Sequence, residues 1–284
     1  MSAFGYGVSD FVGGMASRRV AALRVVLVSY PVAMTLLTVL SLIIGGHISA
    51  PAVMWGSLCG IGQAFGIWWF YAALGAGPIS VVSPLTSLLV SGVPVGVGLA
   101  LGERPAVIAV VGIVLAFVAV VLVSRGAADE PLARRELDPA EDSTQHRFTA
   151  KVAWLTLGSG LAFGMNFVLI AQAPVDARLW PLVFARASAS TLMVIIALFT
   201  RNLAAPTGTP LRLALFAGVL DTIANVAMLL AVQSSLLSLA AVLMSLYPVA
   251  TVALAMVVLK ERVTRWQAVG MVVAMLAVGM IATG

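Results

Sequence analysis

The sequence predicts an all-α integral membrane protein of ten transmembrane helices arranged as two inverted five-helix repeats, and three observations carry that expectation. First, the 284 residues are 61% hydrophobic and only 10% charged, with a mean hydropathy of +1.09, whereas soluble domains carry about 25% charged residues. Second, the apolar residues fall in continuous runs of about twenty, the length that crosses a hydrocarbon layer of roughly 30 Å as a helix. They do not alternate as in a membrane barrel strand. A lipid interior offers backbone groups no water, so each run must pair its own N–H and C=O groups, as a helix does. Third, the chain repeats itself about a single polar stretch.

Interruptions by charge, Gly and Pro mark apolar segments near 2–17, 20–44, 51–74, 78–101 and 105–123. The stretch 124–150 then holds Asp129, Glu130, Arg134, Arg135, Glu136, Asp138, Glu141 and Asp142, and reads as a solvated linker. Segments near 151–173, 179–200, 210–232, 236–258 and 264–283 follow. The chain therefore divides into a first unit at 1–123, the linker, and a second unit at 151–284. The first segment is short for a full crossing, which is what a start upstream of Met1 would leave.

A shift of 158 residues places Gly102-Glu103-Arg104 on Lys260-Glu261-Arg262, Gly112 on Gly270, and Gln63 on Asp221. Shifts of 156 and 162 bring Asp10 onto Asn166 and Arg24 onto Arg186. Matched polar punctuation at matched depth points to internal duplication. With five crossings in each unit, the second must sit upside down relative to the first. Inverted repeats are a recurrent architecture of secondary transporters, with the substrate site near the midplane between them.

The net charge of +5 comes without a basic, aromatic-interleaved patch, so no nucleic-acid partner is expected. The cations are better read as setting topology. Arg18, Arg19, Arg24, Arg125, Arg134, Arg135, Arg147, Lys151, Arg201, Arg212, Lys260, Arg262 and Arg265 would share one side, against Arg104 and Arg178 on the other. That bias places the linker in the cytoplasm, both termini outside, and the protein in the cell membrane as a multi-pass protein. The one cysteine, Cys59, excludes an intramolecular disulfide and a cysteine metal cluster.

Tyr6-Gly7-Val8-Ser9-Asp10-Phe11 and Phe163-Gly164-Met165-Asn166-Phe167 form two first-helix motifs, with Arg24 and Arg186 opening the second helices and Trp69-Phe70-Tyr71-Ala72-Ala73-Leu74 ending the third. Together with Gly102-Glu103-Arg104, Tyr247-Pro248 and Lys260-Glu261-Arg262, this pattern resembles the drug/metabolite transporter superfamily, and within it the ten-helix EamA-type permeases. Where that family typically carries Trp in the first-helix motif, this chain has Tyr6 and Phe163. The resemblance implies export or exchange of amino acids, other metabolites or toxic compounds by a secondary mechanism.

The candidate site residues are the polar groups inside apolar segments. A charge at a helix centre costs about 2.5–3.5 kcal/mol on insertion scales, so Asp10 needs a cationic substrate, a proton or a satisfying neighbour. Asp221 and Asn225 lie four residues apart on one helical face, and Gln63 lies at the equivalent depth. Arg24 and Arg186 could pair with Asp10 or Asp221, attract an anionic substrate, or, for Arg24 above all, snorkel to the headgroups. Asn166 is the counterpart of Asp10. Trp68, Trp69, Tyr71 and Tyr247 could stack on a substrate or anchor the membrane interface. Pro84 and Pro248 could break their helices and free carbonyls to line a cavity. Glu103 and Glu261 suit the positive ends of the following helices. Gly56 with Gly60, Gly62 with Gly66, Gly92 with Gly96, and Gly160 with Gly164 are small-residue pairs that permit close helix approach.

No G-x-x-x-x-G-K-[ST] loop and no H-E-x-x-H pair occur, so neither nucleotide-driven transport nor zinc hydrolysis is supported. No cofactor or metal is expected. The partners are a small-molecule substrate, coupled to protons if Asp10 titrates, and the lipid bilayer; a monomer suffices. An integral-membrane enzyme would need clustered acids or histidines, and His47 and His146 fall in a turn and the linker. A non-transporting receptor is the other alternative.

Overall fold

Apolar runs broken by short Gly, Pro and charged punctuation fold as helices joined by tight turns. The computed structural model describes residues 2–102, 104–108, 110–119, 121–122, 148–234, 254, 257–258 and 264–283. Among the described residues the chain is all-α, with α1 (Ser2–Ser17), α2 (Ala22–Ile44), α3 (Ala50–Ala76) and α4 (Ile79–Ala100), then α5 (Val110–Ala119). The second series is α6 (Ala150–Ala171), α7 (Trp180–Phe199), α8 (Gly208–Ser234) and α9 (Arg265–Thr283). Six of these, α2, α3, α4, α6, α7 and α8, are long and apolar enough to cross a membrane. The expected segment at 236–258 lies outside the described residues, apart from isolated positions, as do Glu103, Tyr247, Pro248, Lys260, Glu261, Arg262 and most of the linker.

Local signals set the helix starts. Ser49 caps α3 by accepting the Ala52 N–H at 3.4 Å, with Pro51 in the first turn, where its missing N–H costs nothing. Thr149 caps α6 in the same way, accepting from the Val152 N–H at 3.3 Å. Helix α4 runs unbroken from Ile79 to Ala100, so the expected interruption at position 84 does not occur. The interior proline of α2 is instead Pro31, which removes one helix hydrogen bond beside Tyr30.

The turns fix the direction of each helix. The 45–49 and 172–179 connections share one end of the bundle, where the His47 N–H donates to the Asp176 carbonyl at 3.0 Å and Arg178 Nη1 to the Ile44 carbonyl at 3.2 Å. The 18–21 and 200–207 connections meet at the opposite end, where Arg24 Nε donates to Asn202 Oδ1 at 2.6 Å. Helices α1, α2 and α3 therefore run opposite to α6, α7 and α8 respectively. The main packing partners are α1 with α8, α3 with α6, α2 with α8, α3 with α7, and α2 with α7. That set is unchanged when α1, α2 and α3 are exchanged with α6, α7 and α8. Helix α4 packs on α6.

Close approach depends on small residues. A Cβ at Gly60 of α3 would run into the Ala185 carbonyl and Ser188 hydroxyl of α7, and one at Gly218 of α8 would press on the Ser29 backbone of α2 at 2.6 Å. Gly60 and Gly218 are equivalent under the 158-residue shift. Gly56, Gly66, Gly160 and Gly164 face comparably tight surroundings, whereas Gly62 and Gly92 have ordinary contacts and Gly96 faces open space. Large apolar side chains such as Trp154, Val107 and Phe199 lie exposed on the outside, the surface expected of helices solvated by lipid. Inside, two apolar clusters fill the two ends of the bundle, and polar side chains occupy the level between them.

Gly60→Val is expected to destabilise the protein by about 1–3 kcal/mol through overpacking, lowering the melting temperature in detergent. Gly96→Ala, made as a control in open space, is expected to leave it unchanged or slightly raised.

Candidate functional site

Arg186 lies in the second turn of α7 with 1% exposure, so its charge and its donors must be met by protein. Its Nη1 donates to Gln63 Oε1 on α3 at 2.6 Å, and its Nη2 forms an ion pair with Asp221 Oδ2 on α8. Its guanidinium also lies 4.4 Å from the ring centroid of Tyr30 on α2, a cation–π distance. The other carboxylate oxygen, Asp221 Oδ1, accepts from Asn225 Nδ2 at 2.9 Å, and Gln63 Nε2 donates to Asn225 Oδ1 at 3.3 Å. Arg186, Asp221, Asn225 and Gln63 thus close a hydrogen-bonded ring. Tyr30 Oη ties the ring to the Gln63 carbonyl at 3.1 Å. One guanidinium bridges Gln63 and Asp221, positions that the 158-residue shift makes equivalent.

A cavity opens beside the ring, lined by Gln63, Asp221 and Tyr30, by Tyr6 and Asp10 of α1, and by Phe163, Asn166 and Phe167 of α6, with Ile67 and Val90. Its volume is about 60 Å³; since one water needs roughly 10–15 Å³ by this measure, it has room for a few waters or one small polar group. Asp10 is 9% exposed, and among the described residues no hydrogen bond or ion pair holds its carboxylate. Its neighbour Ser9 donates to the Ala217 carbonyl of α8 at 3.0 Å, fixing this turn of α1. Asn166 is held across the cavity by the Cys59 thiol, which donates to its Oδ1. Ala217 and Cys59 are themselves equivalent under the 158-residue shift.

Asp10, Asn166, Gln63, Asp221, Asn225 and Arg186 are thereby brought together, as lining or as the ring behind it. Arg24 and Trp68 are not, and Tyr71 stands beside the site without lining the cavity, its hydroxyl hydrogen-bonded to the Ser9 side chain and close to Asp10. Arg24 pairs with Asn202 near the bundle end and reaches neither Asp10 nor Asp221, because it enters α2 within its first turn while Arg186 is carried deeper. Trp68 and Tyr71 line a second cavity of about 330 Å³ with Ser17, Thr200 and Asn202. Tyr71 is buried there against Gly13, where no Cβ would fit. Trp69 packs on Gly158 and Phe65; its role is packing.

Tyr30 and Cys59 were not legible as site residues, although signals existed. A tyrosine deep in an apolar helix needs a partner for its hydroxyl, and Cys59 stands four residues before Gln63, on the same face of α3.

Residues 150–283 match the family model described as the EamA-like transporter family. None of the curated proteins matches the chain. A solved structure titled "Crystal structure of protein" has 16% identity and a TM-score of 0.68, covering 99% of this chain and 95% of its own. At that identity the likeness is one of fold.

Arg186→Met alone leaves Asp221 buried without its cation and is expected to cost about 3–5 kcal/mol. Arg186→Met combined with Asp221→Leu is expected to recover most of that loss. Melting temperatures of the single and double variants in detergent check both statements.

Proposed function

We propose, from the match of residues 150–283 to the EamA-like transporter family and the chain's resemblance to the drug/metabolite transporter superfamily, that this multi-pass membrane protein is a secondary active transporter. It exports or exchanges a small polar metabolite, amino acid or drug-like compound across the cytoplasmic membrane. The observation that carries this reading is the buried cavity between the two apolar ends, lined by side chains from both halves of the chain. Members of this family are transporters rather than enzymes.

The full architecture proposed is ten helices in two inverted five-helix repeats, at 1–123 and 151–284, joined by the linker 124–150. Support comes from the opposed directions of α1 to α3 and α6 to α8, and from a packing pattern that survives their exchange. The cavity lining supports it further, since Tyr6 and Phe163, Asp10 and Asn166, and Gln63 and Asp221 are repeat-equivalent pairs. Such a site at a repeat interface suits alternating access by rocking of one half against the other. A metabolite is larger than the present cavity, so its passage requires the helices to part.

Asp10 and Asp221 are the proposed substrate or proton groups, with Gln63, Asn166, Asn225 and Arg186 shaping the site. Asp10 is the better proton carrier because Asp221 is already committed to Arg186 and Asn225. The end of the bundle bearing Arg18, Arg19 and Arg201 is placed in the cytoplasm with the linker, following the excess of positive charge. The partners are a small-molecule substrate and the bilayer; one chain supplies both halves of the site, so a monomer suffices.

In liposomes holding the purified protein, counterflow of a substrate found by thermal-shift screening is expected to respond to an imposed pH gradient. Asp10→Asn is expected to abolish that response while leaving expression near normal. Gradient-dependent uptake unchanged in Asp10→Asn would remove the proton from this residue.

A further inference from the structure

Resting on the transporter reading above, we propose that the central cavity selects small organic monocations, with a protonated amine paired to Asp10 and, once the helices part to admit it, a compact apolar or aromatic body against the surrounding rings. Charge accounting leads to this class. The charged side chains at the cavity, among the described residues, are Asp10 and Asp221, with Arg186 immediately behind. Arg186 gives its single positive charge to Asp221, and its donors are further engaged by Gln63. Asn225 takes the second oxygen of Asp221. That leaves Asp10, whose carboxylate has no partner among the described residues, so whenever Asp10 is ionised the described lining carries one uncompensated negative charge. The segment 235–259 holds no Asp, Glu, Lys, Arg or His, and so adds no charge to this balance.

The rest of the lining suits an ammonium group better than any anion. Tyr6, Phe163 and Phe167 present aromatic surface around Asp10, and aromatic faces attract cations through their quadrupole. Tyr30 already spends its face on Arg186. Asn166 and Gln63 offer amide dipoles, each already partly committed, to Cys59 and to Arg186 and Asn225. An anion entering here would meet two carboxylates, with Arg186, the one cation beside the cavity among the described residues, already paired. A neutral molecule gives the ionised form of Asp10 no partner and leaves it to be neutralised by a proton, whereas an ammonium group pairs with that form directly.

Three probes matched in body and size separate these cases: phenylethylammonium, its uncharged analogue phenylethanol, and phenylacetate. Binding to the purified full chain in lipid nanodiscs, by isothermal titration calorimetry, is expected to favour phenylethylammonium over phenylethanol by at least about tenfold, with phenylacetate weakest. Asp10→Asn is expected to erase the preference for the cation over phenylethanol, and Asp10→Glu to keep it. If Asp10→Asn does not fold, Asp10→Glu and the wild-type ranking of the three probes decide. Phenylacetate binding as tightly as phenylethylammonium, cation binding unchanged in Asp10→Asn, or no cation binding would each overturn the proposal. Liposome counterflow with neutral and anionic metabolites separates this from the underlying reading. Exchange of those solutes without ammonium exchange would sink the cation preference and leave a transporter, whereas no exchange of any solute would sink both.

Discussion

A guanidinium inside a bundle of apolar helices can be kept there only if its charge is neutralised and its N–H groups are all met. At Arg186 this requirement organises the middle of the molecule. Charged residues within membrane-spanning segments are expensive, by about 2.5–3.5 kcal/mol on insertion scales and more in simulations. The partners that offset this cost come from three other helices: Tyr30 on α2, Gln63 on α3, and Asp221 with Asn225 on α8. A buried ion pair of this kind is weak as net stabilisation, since desolvation consumes much of the attraction. Its stronger effect is on register, because a one-residue slip of α3 or α8 would leave a charge or an amide unpaired.

The polar ring could not close without the small residues beneath it. Gly60 and Gly218 lie three residues before Gln63 and Asp221, just under one turn away, and each lets its helix approach a neighbouring backbone. The approach of α3 to α7 puts Gln63 within reach of Arg186, and that of α8 to α2 sets Asp221 on the far side of the same guanidinium. In lipid there is no hydrophobic force drawing helices together, so dispersion at such contacts and hydrogen bonds between side chains do that work. The cavity is what remains where the apolar clusters at the two ends stop. Its carboxylate, Asp10, is, among the described residues, the one charged group lining the cavity without a partner.

Much of this was legible in the sequence, and for a physical reason. Helix positions follow from the length of apolar runs, and the described helices begin and end within a few residues of the segments read from hydropathy. The polar residues Gln63, Asp221, Asn225, Arg186, Asp10 and Asn166 stood out because each costs energy in an apolar segment unless something meets it. Other features depend on three-dimensional facing, which periodicity does not encode. Arg24 matches Arg186 in sequence, but it falls within the first turn of α2 and finds Asn202 instead. Trp68 lies on α3 beyond Gln63, toward the bundle end, and looks into a different cavity, while Tyr71 lines that cavity too but reaches back to Ser9 beside Asp10. Tyr30 was hidden because tyrosine is common in membrane helices, and only the direction of its ring toward Arg186 distinguishes it. Of the small-residue pairs, Gly160 with Gly164 meets α4 closely while Gly96 meets nothing within reach; spacing alone does not tell which face a neighbour occupies.

The central claim is that the cavity between the two halves is a substrate site reached in turn from both sides of the membrane. Ile67 is suited to report on it, since it lines the cavity and is the repeat counterpart of Asn225. The direct measurement is labelling of Ile67→Cys, on a Cys59→Ser background, with a membrane-impermeant thiol reagent added to either side of oriented vesicles. Labelling from both sides, slowed by a transported substrate, is the expected result. Labelling from one side only, unaffected by substrate or gradient, would contradict it.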